Sequence, residues 1–180
     1  MNALTIPTGA RLALVAAPNA AGPQMLLLAA RLALAGPLRV LDGGSNFDPF
    51  AVARHLRGYT ARVEPVLDHI RIRQAFTCYQ LLTLLNETPQ SAEPTLVLDM
   101  LAIFQDESVY LAERRRLLGE CALRLRFLSG AGPVVVSARP LDGNAGAIGL
   151  YVLLQAACDA VLTPQVDQPS PDSPILPGFG

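Results

Sequence analysis

The sequence predicts an α/β fold of three layers, with a mainly parallel sheet held between helices. Three observations carry this. Short apolar runs alternate with helix-like segments along the chain. The runs are near-continuous, as in strands buried on both faces, and do not alternate as half-exposed strands do. Hydrophobic residues make up 51% of the 180 residues. That is a high fraction, which a doubly covered sheet explains and to which a large apolar interface would also contribute.

The first strand is expected from Arg11 to Ala16 and ends in a loop, Ala17-Pro18-Asn19-Ala20-Ala21-Gly22-Pro23. A helix with one charge, Arg31, is expected from Gln24 to Ala35, stopped by Gly36-Pro37. The second strand runs from Leu38 to Asp42, before a polar turn, Gly43-Gly44-Ser45-Asn46. Asp48 is placed to cap a helix beginning with Pro49, because proline at the first helical position gives up no needed donor. Glu64-Pro65 suggests a turn or short helix, and His69-Ile70-Arg71-Ile72-Arg73 alternates as an edge strand does, with His69 read as a surface or turn residue.

A helix is expected from Gln74 to Glu87, with Leu81, Leu82, Leu84 and Leu85 giving a broad apolar face. The strand from Thr95 to Asp99 follows, then an apolar loop from Leu101 to Ser108. A long helix runs from Val109 to Leu128, with Leu111, Leu118, Ala122 and Leu125 as its buried stripe. Val134 to Ser137 is a further strand, Arg139 to Asn144 a loop, Ala145 to Ala157 a helix, and Asp159 to Leu162 a last short strand. Residues 1–162 are therefore read as a single α/β domain. Residues 163–180 are rich in Pro, Ser, Asp and Gln and are expected to be a disordered tail.

Composition narrows the chemistry. All fourteen basic residues are arginine. Without lysine, no phosphate-binding, Schiff-base or catalytic lysine exists. The net charge of -1 gives no general attraction to nucleic acid or acidic membranes. No apolar run is long and unbroken enough to span a bilayer, and the first residues do not read as a signal peptide. Cys78, Cys121 and Cys158 are widely spaced and odd in number, which fits small core residues in a reducing, cytoplasmic setting. No spacing of metal ligands is present, so no metal and no cofactor is expected.

Two carboxylates stand out. Asp42 and Asp99 each end a buried strand, the place where open α/β sheets bind ligands. The plainer reading is that each caps a turn or the following helix.

The order of several blocks resembles the core of the RecA-type recombinase ATPases, the strand-exchange proteins of bacteria, archaea and eukaryotes. Thr95 to Met100 resembles the family's Walker B strand, with Asp99 at the magnesium-side aspartate, and Leu101-Ala102-Ile103-Phe104 continues that block. Leu41 to Pro49 resembles the strand and turn that carry the catalytic glutamate. Ile72 to Leu82, with Arg73-Gln74-Ala75-Phe76 near its start, resembles the arginine–alanine–phenylalanine block that opens the next helix in the archaeal and eukaryotic branch. Val134 to Arg139 resembles the strand whose end bears a nucleotide-sensing glutamine. The resemblance implies a RecA-like P-loop NTPase core over residues 10 to 162.

The departures from that pattern point away from catalysis. The family's phosphate loop would lie at Ala17 to Gln24, which has one suitable glycine, no lysine, and Gln24 or Met25 where a hydroxyl is needed to hold magnesium. Pro23 removes a backbone donor. Gly44 stands at the catalytic glutamate position and Arg139 at the sensing glutamine position. No catalytic residue is assigned. If a nucleotide bound, the resemblance would surround it with Asn19, Gly22, Gln24, Asp99 and Arg139, and a metal with Asp99 and Asp42. The segments matching the family's DNA-binding loops, Asp106 to Glu113 and Arg139 to Gly149, carry little positive charge. Only Arg114-Arg115-Arg116 is dense enough for a nucleic-acid or partner contact, a solvated helix face being the plainer reading.

The expectation is a non-enzymatic, RecA-like accessory or regulatory subunit that works by association, in DNA recombination or repair. Its partner would be another copy or a RecA-like ATPase, with nucleic acid weakly supported and no membrane. The alternatives are an ATPase with an atypical phosphate loop, and a structural or regulatory RecA-like fold unrelated to DNA.

Overall fold

The computed structural model describes residues 4, 7–140 and 145–164. Six strands form one sheet: β1 (Leu12–Ala16), β2 (Leu38–Asp42), β3 (Ile70–Gln74), β4 (Thr95–Leu98), β5 (Val134–Ala138) and β6 (Ala160–Leu162). Their order across the sheet is β3-β2-β4-β5-β1-β6, and every pairing is parallel. This is the expected three-layer α/β/α architecture. Helices α1 (Gly22–Ala35), α2 (Pro49–Arg57) and α3 (Val63–Leu67) pack together on one face. Helices α4 (Cys78–Glu87), α5 (Leu111–Ser129) and α6 (Ala145–Ala157) cover the other.

The four inner strands are buried throughout, which is why their sequences lack alternation. Their side chains feed two cores. Leu12, Leu14, Leu41, Val97, Val134 and Val136 pack toward α4, α5 and α6. Val15, Val40, Leu96, Leu98 and Val135 pack toward α1 and α2. The strands β3 and β6 are the partly exposed edges. Arg71 and Arg73 on β3 pair with Glu93 and Glu87; charged side chains of this kind discourage pairing with a further strand. One arginine is buried within the sheet. Arg39 on β2 donates to the Pro89 carbonyl and to Ser91 Oγ (2.6 Å), and lies 3.4 Å from the Glu93 carboxylate. Burial lowers its pKa below that of a free guanidinium.

Local chemistry sets several boundaries differently from the sequence expectation. The helix expected from Gln74 begins at Cys78, because Gln74 extends the ladder opposite Asp42. Thr77 is its cap, with Oγ1 accepting from Gln80 N at 3.2 Å, while Gln80 Oε1 accepts from Phe76 N at 2.8 Å. Helix α1 starts two residues early, at Gly22, since Pro23 falls in the first turn where no N–H is needed. Helix α5 starts at Leu111, not Val109, and Leu111 is only half-buried where Leu118, Ala122 and Leu125 are buried. The loop after β4 holds a short 3-10 turn, Ala102–Phe104, that buries Phe104. Asp48 caps α2 as expected, accepting from Phe50 N at 2.8 Å and Ala51 N at 3.2 Å. The expectations for residues 165–180 and for 141–144 lie outside the described residues.

Candidate functional site

The parallel registers bring the carboxyl ends of β2, β4, β5 and β1 to one edge in that order. Backbone hydrogen bonds continue the ladder past the strands and lock the loops together. Gly43 N donates to Leu98 O (3.0 Å), Met100 N to Ser137 O (2.9 Å) and Ala17 N to Ala138 O (3.3 Å). The loop after β1, Asp99 after β4, Arg139 after β5, and the turn after Asp42 are therefore neighbours across the edge.

Asp99 is at the centre of this edge. It is only 1% exposed and has a left-handed backbone (φ 44°), a conformation that aspartate tolerates better than most side chains. Its N–H donates to Ser137 Oγ at 3.0 Å. Its Oδ2 accepts from Arg139 Nε (3.0 Å), Arg139 Nη2 (2.6 Å) and Asn46 Nδ2 (3.1 Å). Among the described residues no donor reaches the buried Oδ1.

Asp42 organises the neighbouring turn. Its Oδ1 accepts from Gly44 N and Asn46 N, both at 3.1 Å, and its Oδ2 from Phe47 N at 2.9 Å. One carboxylate thus satisfies three backbone donors that the turn would otherwise leave open. The turn then carries Asn46 over Asp99. Gly44 is required where it stands. A Cβ there would lie 2.4 Å from Asn46 Nδ2 and 2.6 Å from Asp99 Cβ. The position that the resemblance matches to a catalytic glutamate therefore has no room for a side chain in this packing.

The β1–α1 loop closes on itself. Ala20 and Ala21 are both left-handed (φ 52° and 53°) and buried. Ala20 N donates to Ala17 O (2.9 Å), Ala21 N to Asn19 Oδ1 (3.1 Å) and Gly22 N to Asn19 O (3.2 Å). A phosphate-wrapping loop needs such N–H groups pointing outward; these three point into the loop. Asn19 acts as a turn residue, and Gln24 has its Oε1 buried with no donor among the described residues.

The edge thus brings Asp99 and Arg139 into direct contact, with Asp42 one strand over. Asn19, Gly22 and Gln24 lie beyond β5, on the loop after β1. Nitrogen donors take both Asp42 oxygens and Asp99 Oδ2, leaving only the buried Asp99 Oδ1 without one, and among the described residues no cluster of three metal-ligating side chains occurs. The hydroxyls near this edge are engaged with other groups: Ser137 accepts from the Asp99 backbone, Ser45 accepts from Gln74 Nε2, and Thr77 caps α4. Asn46 was legible only as a turn residue, because its role comes from a contact with a carboxylate on another strand.

The Arg114-Arg115-Arg116 run is divided among different tasks. Arg114 donates to Phe104 O at 3.0 Å, and Arg116 pairs with Glu113 and Glu120. Arg115 extends next to Gly149 of α6. No helix among the described residues is long and apolar enough to cross a membrane. No protein-family model matches this chain, and no curated protein matches it significantly.

Proposed function

We propose that this chain is a non-catalytic, RecA-like protein that works by associating with other proteins, as an accessory or regulatory subunit. Its partner is a second copy or a RecA-like ATPase, and recombination or repair is the setting that the resemblance suggests. The observation that carries the reading is the self-closed β1–α1 loop. The three N–H groups that would hold phosphate are bonded inside the loop, and the chain has no lysine to add positive charge. The side-by-side placement of the four motif-bearing strand ends supports descent from such an ATPase core. The Arg139–Asp99 pair supports loss of the cation, since a guanidinium now neutralises the strand-end carboxylate.

Nucleic acid is a weaker part of this reading, because the densest arginine run is engaged within the protein. The test is isothermal titration with ATP and ADP, each with magnesium. The expected result is no saturable binding tighter than about millimolar, because phosphate needs outward backbone donors and concentrated positive charge. Micromolar, magnesium-dependent binding would overturn the reading in favour of an ATPase with an atypical loop.

A further inference from the structure

We propose that two copies of this chain pair through the free edge of β6, about a twofold axis beside Val161, with the outer shoulder of α6 packing against its own copy. This rests on the reading that association is this protein's work, and gives it a face and a symmetry.

The two edges of the sheet are built differently. β3 is guarded, since Arg71 and Arg73 project from it and pair with Glu93 and Glu87. β6 carries no such guard. It is Ala160-Val161-Leu162, and among the described residues it pairs with β1 alone. A strand edge leaves backbone N–H and C=O groups unpaired, and an added strand satisfies them. Val161 is in register with Leu14, whose side chain belongs to the core under α5 and α6. Val161 therefore faces the α6 layer, yet it is 38% exposed, so α6 does not cover it.

Helix α6 supplies the second observation. None of its 13 residues is charged. A helix apolar all round is ordinarily buried, but Ile148 is 46% exposed and Val152 53%. Gly149 faces α5, since a Cβ there would lie 2.7 Å from Arg115 Nη2. At about 100° per residue, Tyr151, Gln155 and Ile148 then form the shoulder turned away from α5, toward the β6 edge, and Val152 lies on the crest. Val161 and this shoulder make one largely apolar strip along the edge, the kind of surface that marks an interface.

Charge and geometry choose the occupant. A twofold contact sets a surface against its own copy, so a charged face opposes itself. From Ala145 to Cys158 the chain has no charge, and the adjoining Asp159 is held by Arg126 and by the Arg11 and Leu12 N–H groups. The outer face of α2, with Arg54 and Arg57 exposed, would repel its own copy. Antiparallel pairing is the arrangement in which a strand meets its copy under a twofold axis. The axis puts the two Val161 side chains opposite each other and sets the two α6 helices side by side on one face of a continuous sheet. Three strand residues offer few ladder bonds, so the helix shoulder supplies most of the contact. It is small beside the roughly 800 Å² per partner of a standard interface, and the dimer is expected to be weak, with a Kd of about 10–100 µM.

Sedimentation velocity of the full chain tests this. The weight-average sedimentation coefficient should rise with concentration, level off at the value of a dimer, and not fall at high salt, because no ion pair takes part. V161D and V161R should each weaken the dimer by about tenfold or more, as like charges directly opposite on paired strands do. An equimolar mixture of the two should recover it, because a twofold contact sets position 161 against itself. I148D should weaken the dimer from the helix side without touching the strand. In a C158A background, V161C should form an intermolecular disulfide on mild oxidation, since residues directly opposite on antiparallel strands have Cα atoms about 4.5–5.5 Å apart. L123C, at an exposed position on α5, should not. The cross-link and I148D test the same contact should either charge variant fail to fold. A wild-type chain that stays monomeric overturns the proposal. So does assembly beyond the dimer, a dimer indifferent to I148D, a mixture of folded variants that does not recover, or equal cross-linking of V161C and L123C. Micromolar nucleotide binding by calorimetry would instead overturn the non-catalytic reading and leave this dimer standing.

Discussion

Arg139 holds Asp99 through a single oxygen: its Nε and Nη2 both donate to Oδ2, at 3.0 and 2.6 Å. Asn46 adds a third donor to the same atom. The carboxylate is buried while the side chain of Arg139 is 47% exposed, so the pair sits at the surface of the strand edge with its negative end inside. An ionised carboxylate so deep in a protein needs a positive neighbour or several donors. Here a guanidinium from the adjacent strand end supplies both, and no bound cation is required for the fold.

The two ends of that pair should respond unequally to substitution. In D99N the half-exposed Arg139 can turn to water, and the expected loss is about 1 kcal/mol. In R139A the buried Asp99 keeps only Asn46, and the expected loss is about 2–3 kcal/mol, below that of a fully buried pair because water already reaches Arg139. The double variant should lose less than the sum of the two. Urea unfolding of the four proteins measures this, and magnesium should not shift the wild-type midpoint. An R139A variant no less stable than D99N would show that the guanidinium is not what holds Asp99.

Gly44 should be intolerant of the smallest side chain. Its Cβ would meet the end of Asn46, which can move, and Asp99 Cβ at 2.6 Å, which is fixed by the strand. G44A is expected to cost about 1–3 kcal/mol, as overpacking of a tight contact does. G119A, at a helix position with open space beside its Cβ, should be neutral or slightly stabilising. Equal effects of the two in thermal unfolding would refute the argument.

The fold was legible because burial wrote it into the sequence. The largely apolar runs at Leu38 to Asp42 and Thr95 to Asp99, short and bounded by turn residues, read as inner strands of a covered sheet, and Gly36-Pro37 and Asp48-Pro49 mark helix ends by local sterics and capping. Asp42 and Asp99 were legible as strand-end carboxylates for the same reason. Their partners were not. Asn46 meets Asp99 across 53 positions of sequence, and Arg139 meets it across 40; neither spacing leaves a periodic trace. The left-handed Ala20 and Ala21 left no trace either, since alanine carries no signal for that conformation, where glycine or asparagine would have marked the turn.

The three cysteines should be slow to react. Burial pushes the Cys121 thiol up to about 12 and the Cys158 thiol up to about 11, and raises that of Cys78. Only the thiolate is nucleophilic, so little of it is present at pH 8. Cys158 is half-buried, with Sγ donating to Leu154 O at 3.3 Å, whereas Cys78 and Cys121 are buried in the α4–α5 core. A chromogenic disulfide reagent at pH 8 should find three thiols promptly in denaturant. In the native protein it should find at most one, Cys158. Rapid modification of Cys78 or Cys121 in the folded chain would contradict the packing described for them.

Acid should weaken the joint between the last helix and the first strand. Asp159 Oδ2 accepts from Arg11 N (3.0 Å) and Leu12 N (2.8 Å), Oδ1 pairs with Arg126, and Asp159 N donates back to Leu12 O (2.7 Å). Those backbone donors, led by Leu12 N–H, together with Arg126, hold the carboxyl below its ordinary value of 3.8. The folded state therefore keeps Asp159 charged at a pH where the unfolded chain already binds a proton there. Its stabilisation is full above the unfolded value and is lost as pH falls through the lower folded value. D159N retains an acceptor oxygen for the start of β1 and loses the charge. It should be less stable than wild type at pH 7, and the gap should close as pH falls below about 4. Paired urea melts at pH 7 and pH 3 measure the gap, and one that stays constant between them would show that the charge on Asp159 contributes nothing to the joint.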